Sequence, residues 1–247
     1  MREPDKDFEP LPTPETPPQL ERMELTWLII AAIATISLWQ IPYGGYILYP
    51  FTILATWFHE MGHGLMALLL GGKFQNLIIS PDGSGVAYYA LRSNLGAIGH
   101  GLVAAAGPMG PPIAGAALIL ASRSSRTASL GLKFLGGFLM LSALVWVRSI
   151  FGWFAVVLLG LLTLTVALKT PRHVQGFSVQ FLGVQACVST YHQLNYLFTY
   201  RAGPVGISDT GQMQNYLLLP YWFWGGLMAL ASLALLAQSL RVAYRSE

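Results

Sequence analysis

Trp57-Phe58-His59-Glu60-Met61-Gly62-His63-Gly64, set inside the apolar run of residues 46–72, decides how this chain reads. It has the form His-Glu-x-x-His. On a helix of 3.6 residues per turn, His59 and His63 lie one turn apart on one face. Two imidazoles so placed can hold one Zn2+, and Glu60 beside them can take a proton from a water at the metal. Glu60 points roughly 100° away from His59 around the helix, which suits a base better than a ligand. Apart from these three residues, the run contains no ionisable group other than tyrosine. Ionisable groups in such a stretch are expensive and functional by default. Two neutral histidines bonded to carbonyls of neighbouring helices would be the plainer account, but it leaves the carboxylate between them unexplained.

Composition sets the surroundings. Of 247 residues, 54% are hydrophobic and only 10% are charged, with mean hydropathy +0.53. An ordinary soluble domain is about a quarter charged. The expected fold class is therefore an all-α polytopic membrane protein, with about seven transmembrane helices and one short β-hairpin after the second. The net charge of +3 is too small to argue for nucleic acid as a partner. The single cysteine, Cys187, sits in an apolar run and reads as a small packed hydrophobe.

Residues 1–24 carry six of the fifteen prolines and seven of the eleven acids. Such a segment buries too little apolar surface to order itself, so a solvated, disordered acidic tail is expected, followed by a membrane domain over 25–247. Acidic and proline-rich, it is the opposite of a signal peptide's basic start. The expected spans are 25–41, 46–70, 95–120, two within 130–168, 174–200 and 219–240. The 39 residues of 130–168 are almost twice too long for one crossing, so they must turn back near 148–152. Between the second and third spans, β-prone residues flank Ser80-Pro81-Asp82-Gly83-Ser84-Gly85, a hairpin signal. Backbone at membrane depth must satisfy its own hydrogen bonds or be buried in protein, so the hairpin lies at the interface or beside the metal helix. Either way, one edge is available to an extended peptide by strand addition. Counting Lys and Arg on the two sides gives seven against seven, so charge sets no orientation.

A catalytic zinc usually has three protein ligands and a water. Beyond the tail, only Glu60, Asp82, Asp209 and the terminal Glu247 are acidic. Asp82 is accounted for by Pro-Asp-Gly turn chemistry. Asp209 has a rival account as the N-cap of a short helix. Asp209 is favoured because its connector (Met213, Leu217, Leu218, Leu219) is apolar enough to re-enter the membrane. His192 and Asn195 in the sixth span stand as an alternative ligand or supporting groups, against a plainer reading as a carbonyl-bonded histidine and packing glue. His100 is expected at the interface and His173 exposed.

These residues resemble the site-2-protease group of intramembrane metalloproteases, specifically its bacterial, M50B-like branch. The likeness is strongest over residues 57–90. Ala106-Gly107-Pro108-Met109-Gly110 is similar to that group's Gly-Pro element, and Ser208-Asp209 before a helix with Trp222 and Trp224 is similar to its late aspartate. The resemblance implies zinc on His59, His63 and Asp209, Glu60 as general base, and the metal side facing the cytosol with the N-terminus. It also implies a multi-pass protein of the bacterial plasma membrane or an equivalent internal membrane. The late aspartate departs from the group's pattern: it stands in Ile-Ser-Asp-Thr-Gly rather than Leu-Asp-Gly or Asn-Pro-x-x-Asp-Gly. No PDZ-like insertion is present, so substrate choice would rest on the hairpin and helices. The expected function is an intramembrane zinc endopeptidase acting on a membrane protein or peptide within the lipid bilayer. A non-proteolytic binding or assembly factor on the same fold is the alternative. A transporter is disfavoured because the acid and histidines form a hydrolase motif and no inverted repeats are apparent.

Overall fold

The structure is a computed structural model describing residues 18–92, 94–202 and 206–244; the side chains of 18–25, 27, 28 and 192 lie outside that description. In chain order the elements are α1 (Pro18–Gln40), α2 (Gly44–Leu69), β1 (Lys73–Ile79), β2 (Gly85–Ala90), α3 (Gly96–Ala121), α4 (Ser125–Val145) and α5 (Ile150–Lys169). Then follow α6 (Arg172–His192), α7 (Leu194–Leu197), β3 (Arg201–Ala202), β4 (Gly206–Ile207), α8 (Asp209–Leu217) and α9 (Tyr221–Ala243). The acidic tail expected over 1–24 falls outside the description up to residue 17, and α1 begins at Pro18.

The expected seven crossings are not supported. Among the described residues, four helices are long and apolar enough to cross a membrane: α3, α4, α5 and α9. The physical reason lies in the other three. His59, Glu60 and His63 interrupt the apolar run of α2, and Gln175, Gln180 and Gln185 do the same in α6. In α1 the apolar segment found among the described residues is Ile29–Gln40. Both α2 and α6 hide their polar groups in protein: residues 53–61 of α2 and 185–190 of α6 are buried.

Helices α2 and α3 form the centre of the packing, and small residues bring their backbones together. A Cβ on Gly62 would run into the Ala106 carbonyl, and one on Gly110 into the Phe58 carbonyl. Pro108, Pro111 and Pro112 lie inside α3, where each removes a backbone donor. Cys187 of α6 is buried, with its thiol donating to Pro112 O at 3.7 Å across that junction, in keeping with a packed hydrophobe.

The hairpin forms where expected. β1 and β2 pair antiparallel, from Lys73 opposite Ala90 to Ile79 opposite Gly85, with a bulge between Phe74 and Asn76. It runs back along α2 rather than lying apart from it. Thr56 Oγ1 donates to Gly83 O and Tyr49 OH to Pro81 O, both at 2.6 Å, while Gly64 leaves room for the Phe74 ring. The turn between α4 and α5 falls at residues 146–149, as their combined length demands, and it covers the outer edge of β1. Leu77 N donates to Trp146 O at 2.8 Å and Arg148 N to Leu77 O at 2.9 Å. Ser149 Oγ accepts from Ile79 N at 3.0 Å and donates to Ile79 O at 2.9 Å. Among the described residues the outer edge of β2 pairs with nothing.

The stretch expected as one span over 174–200 is broken. α6 ends at His192, a single turn follows as α7, and β3 and β4 form a minimal antiparallel pair. The chain then enters α8, the connector helix that carries Asp209. Leu218 at its C-cap takes a left-handed φ of 69°, and Pro220 opens α9.

Candidate metal centre

His59 and His63 lie on the buried middle of α2, and Asp209 is the first residue of α8; all three are at most 8% exposed. Their side chains converge. His59 Nε2 lies 3.2 Å from His63 Nε2 and 3.0 Å from Asp209 Oδ2, and His63 Nε2 lies 3.3 Å from Asp209 Oδ1. Among the described residues, these three form a group whose ligand atoms all fall within 4.8 Å of one another.

The surrounding bonds decide what such a group can hold. His63 Nδ1 lies 2.7 Å from the Val103 carbonyl of α3. A carbonyl only accepts, so Nδ1 carries the proton, and in the neutral ring Nε2 presents a lone pair. That lone pair faces a carboxylate and a second imidazole nitrogen in a buried site, a donor set suited to a cation. Zinc in tetrahedral coordination with N and O bonds of 2.0–2.2 Å holds its ligand atoms about 3.3 Å apart. The separations of 3.0–3.3 Å agree with that value, so the residues present fit the metal.

The local structure explains how a distant aspartate arrives. The rival account of Asp209 as a helix cap does not hold. Ser208 is the N-cap of α8: its Oγ accepts from Gly211 N at 3.1 Å and donates to Thr199 O at 2.5 Å. With the cap supplied by Ser208, the Asp209 side chain is available to the histidines. Tyr196 of α7 holds it there, donating its hydroxyl to Asp209 Oδ2 at 3.0 Å and accepting from Asp209 N at 3.3 Å. Across the site, α3 approaches so closely at Gly107 that a Cβ there would overlap the His63 imidazole.

Glu60 is buried at 7% exposure on the face of α2 turned toward the hairpin. Gly85, the first residue of β2, packs against it: a Cβ there would come within 2.7 Å of Glu60 Cγ. Among the described residues, no donor is hydrogen-bonded to the Glu60 carboxylate. Farther along β2, Tyr89 stacks on His63 with ring centroids 6.1 Å apart. The uncovered strand edge therefore belongs to the strand that touches both Glu60 and a histidine of the cluster.

The other candidates do not join the site. Asp82 is exposed, and its carboxylate is taken up by its own turn. Ser84 donates to Oδ1 from its hydroxyl at 2.7 Å and from its amide at 2.9 Å, which holds the carboxyl below its ordinary range. Asn195 is exposed, with its backbone carbonyl accepting from Thr199 Oγ1 at 2.5 Å. His192 closes α6, and its side chain lies outside the described ones. His173 is exposed as expected, and half-buried His100 stacks on Tyr216 at 4.6 Å between ring centroids. Three participants were missed in the sequence. Val103 acts through a carbonyl, which carries no residue signal. Tyr196 and Tyr89 are two tyrosines among eleven, and only folding tells which hydroxyl or ring reaches the cluster.

Two histidines of a buried helix, joined by an aspartate from far down a chain with four bilayer-length apolar helices, define a membrane-embedded protein with a candidate metal centre. A family model described as Peptidase M50B-like matches residues 28–239. The chain belongs to that family, the site-2-protease-like branch of the M50 peptidases. No curated protein and no solved structure matches it.

Proposed function

We propose that this protein is an intramembrane zinc endopeptidase hydrolysing a peptide bond in or near the membrane. The bacterial plasma membrane or an equivalent internal membrane is its setting, crossed more than once. The observation that carries the reading is the convergence of the two imidazole Nε2 atoms and the Asp209 carboxylate oxygens at 3.0–3.3 Å, with Glu60 adjacent in sequence and packed against β2, whose outer edge is unpaired among the described residues. His59, His63 and Asp209 would hold the metal. When bound, zinc supplies Lewis acidity, polarising a carbonyl and lowering the pKa of water toward 7.

The chain's own residues do the rest. A helical substrate hides its carbonyls, so it must be extended to react. The outer edge of β2 offers backbone groups that hold a strand by addition and lead it past Glu60. Glu60 takes a proton from the attacking water and passes it to the departing amide nitrogen as the C–N bond breaks. Tyr196 fixes the Asp209 carboxylate, and the Val103 carbonyl fixes the tautomer of His63.

The test pairs metal content with cleavage in the full-length protein reconstituted in lipid, using a panel of fluorogenic single-span peptides. Glu60→Gln is expected to retain zinc one-to-one and lose cleavage; His59→Ala is expected to lose the zinc. A Glu60→Gln protein that still cuts would refute the assignment of the base. Unaltered protein that binds no zinc at equimolar level would refute the enzyme itself.

A further inference from the structure

We infer that a basic pocket at the end of the α4–α5 helix pair remote from the 146–149 turn binds the headgroup of an anionic glycerophospholipid. A cavity of about 550 Å3 opens there between the start of α4, the end of α5 and the start of α6. Arg126, Lys133 and Arg172 line it. All three are exposed, and among the described residues none has an acidic partner. Beyond α1, the described acids are Glu60, Asp82 and Asp209, on α2, the hairpin turn and α8. Three positive charges thus converge on one concavity with no counter-charge among the described side chains.

The placement selects lipid over a soluble anion. α4 and α5 are both apolar enough to cross a membrane, so the pocket sits where one leaflet's headgroups begin. Lys133 lies eight residues past Ser125, about 12 Å down the helix, and its stem can snorkel back toward that level. Leu130 and Leu168, in the same lining, are 54% and 64% exposed. They give acyl chains an apolar surface directly beside the cations. Basic pockets between transmembrane helices are a recognised form of anionic headgroup site. Arg126 and Arg172 supply planar forks suited to a phosphate. Arg172 already reaches across from α6 to Ser125 of α4 at 3.3 Å, which draws the two walls together.

The pocket therefore suits an anionic glycerophospholipid such as a phosphatidylglycerol, with its phosphate on the cations and its acyl chains on Leu130 and Leu168.

The test uses full-length protein in detergent, titrated with lipids of one chain length and read by native mass spectrometry. The probes are phosphatidylglycerol, phosphatidylmethanol, phosphatidylcholine and inorganic phosphate. Phosphatidylglycerol and phosphatidylmethanol are both expected to be held more tightly than phosphatidylcholine. Each cation near an anionic headgroup is worth about fivefold in affinity, or ~1 kcal/mol. Arg126→Gln, Lys133→Gln and Arg172→Gln together should therefore weaken phosphatidylglycerol retention about a hundredfold, with zinc content unchanged. Lys133→Gln alone, expected to lose about fivefold, serves if the triple variant does not fold. Equal retention of phosphatidylglycerol and phosphatidylcholine overturns the proposal, as does full retention by the variants. Displacement of the lipid by an equal concentration of inorganic phosphate assigns the pocket to a soluble anion and also overturns it.

Discussion

Tyr196→Phe isolates one device of the candidate metal centre. The hydroxyl donates to Asp209 Oδ2 at 3.0 Å and accepts from Asp209 N at 3.3 Å. The substitution removes both bonds and leaves the ring in place. A hydrogen bond to a charged acceptor contributes about 1.5–3 kcal/mol net. Loss of a group that orients a metal ligand typically weakens metal binding about 10–100-fold, equivalent to ~1.4–2.7 kcal/mol. The two scales overlap, so the zinc Kd should rise 10–100-fold by these values. Competition with a chromophoric chelator on full-length protein in detergent measures it, and excess zinc should restore one-to-one binding. Asn195→Ala, one residue away and exposed, is the control and should change nothing. If Tyr196→Phe binds zinc within twofold of the parent while Asp209→Ala abolishes binding, the tyrosine does not position the ligand and that reasoning fails.

Asp82→Ala should keep full zinc content, whereas Asp209→Ala should lose it; metal analysis of the two side by side separates the turn acid from the ligand. Because Ser84 holds the Asp82 carboxyl below its ordinary range, its contribution to the turn is complete above about pH 3.9. It is lost as the pH falls from there through the folded value, and protection of the Ser84 amide relative to its intrinsic exchange rate should fall accordingly; protection that stays constant over that range would contradict this. Gly107→Ala inserts a Cβ against the His63 ring. Overpacking of about 1–3 kcal/mol should lower zinc affinity by about 5–150-fold, and an unchanged Kd in the chelator assay would count against the close approach of α3. Gly85→Ala should press on Glu60 and Thr56 and slow peptide cleavage while zinc content stays whole. A loss of zinc instead would mean that β2 supports the ligands rather than the base.

The sequence by itself determined what is local or compositional. His59, Glu60 and His63 are set by helical periodicity, so their common helix followed from spacing alone. The hairpin followed from Pro81-Asp82-Gly83 between β-prone runs, and the α4–α5 turn from the mismatch between 39 apolar residues and one bilayer. The span count failed because an apolar run does not say what covers it. In α2 and α6 the apolar character is interrupted by groups that only neighbouring protein makes tolerable. The sequence favoured Asp209 as the third member of the cluster, and only tertiary structure brought it to the histidines. Asp82 and Asp209 each had an adequate local explanation, and the choice turned on Ser208 taking the cap and Tyr196 reaching over from α7. Those contacts join residues whose separation along the chain carries no periodic signal, so they appear only when α2, α3 and α8 are packed together.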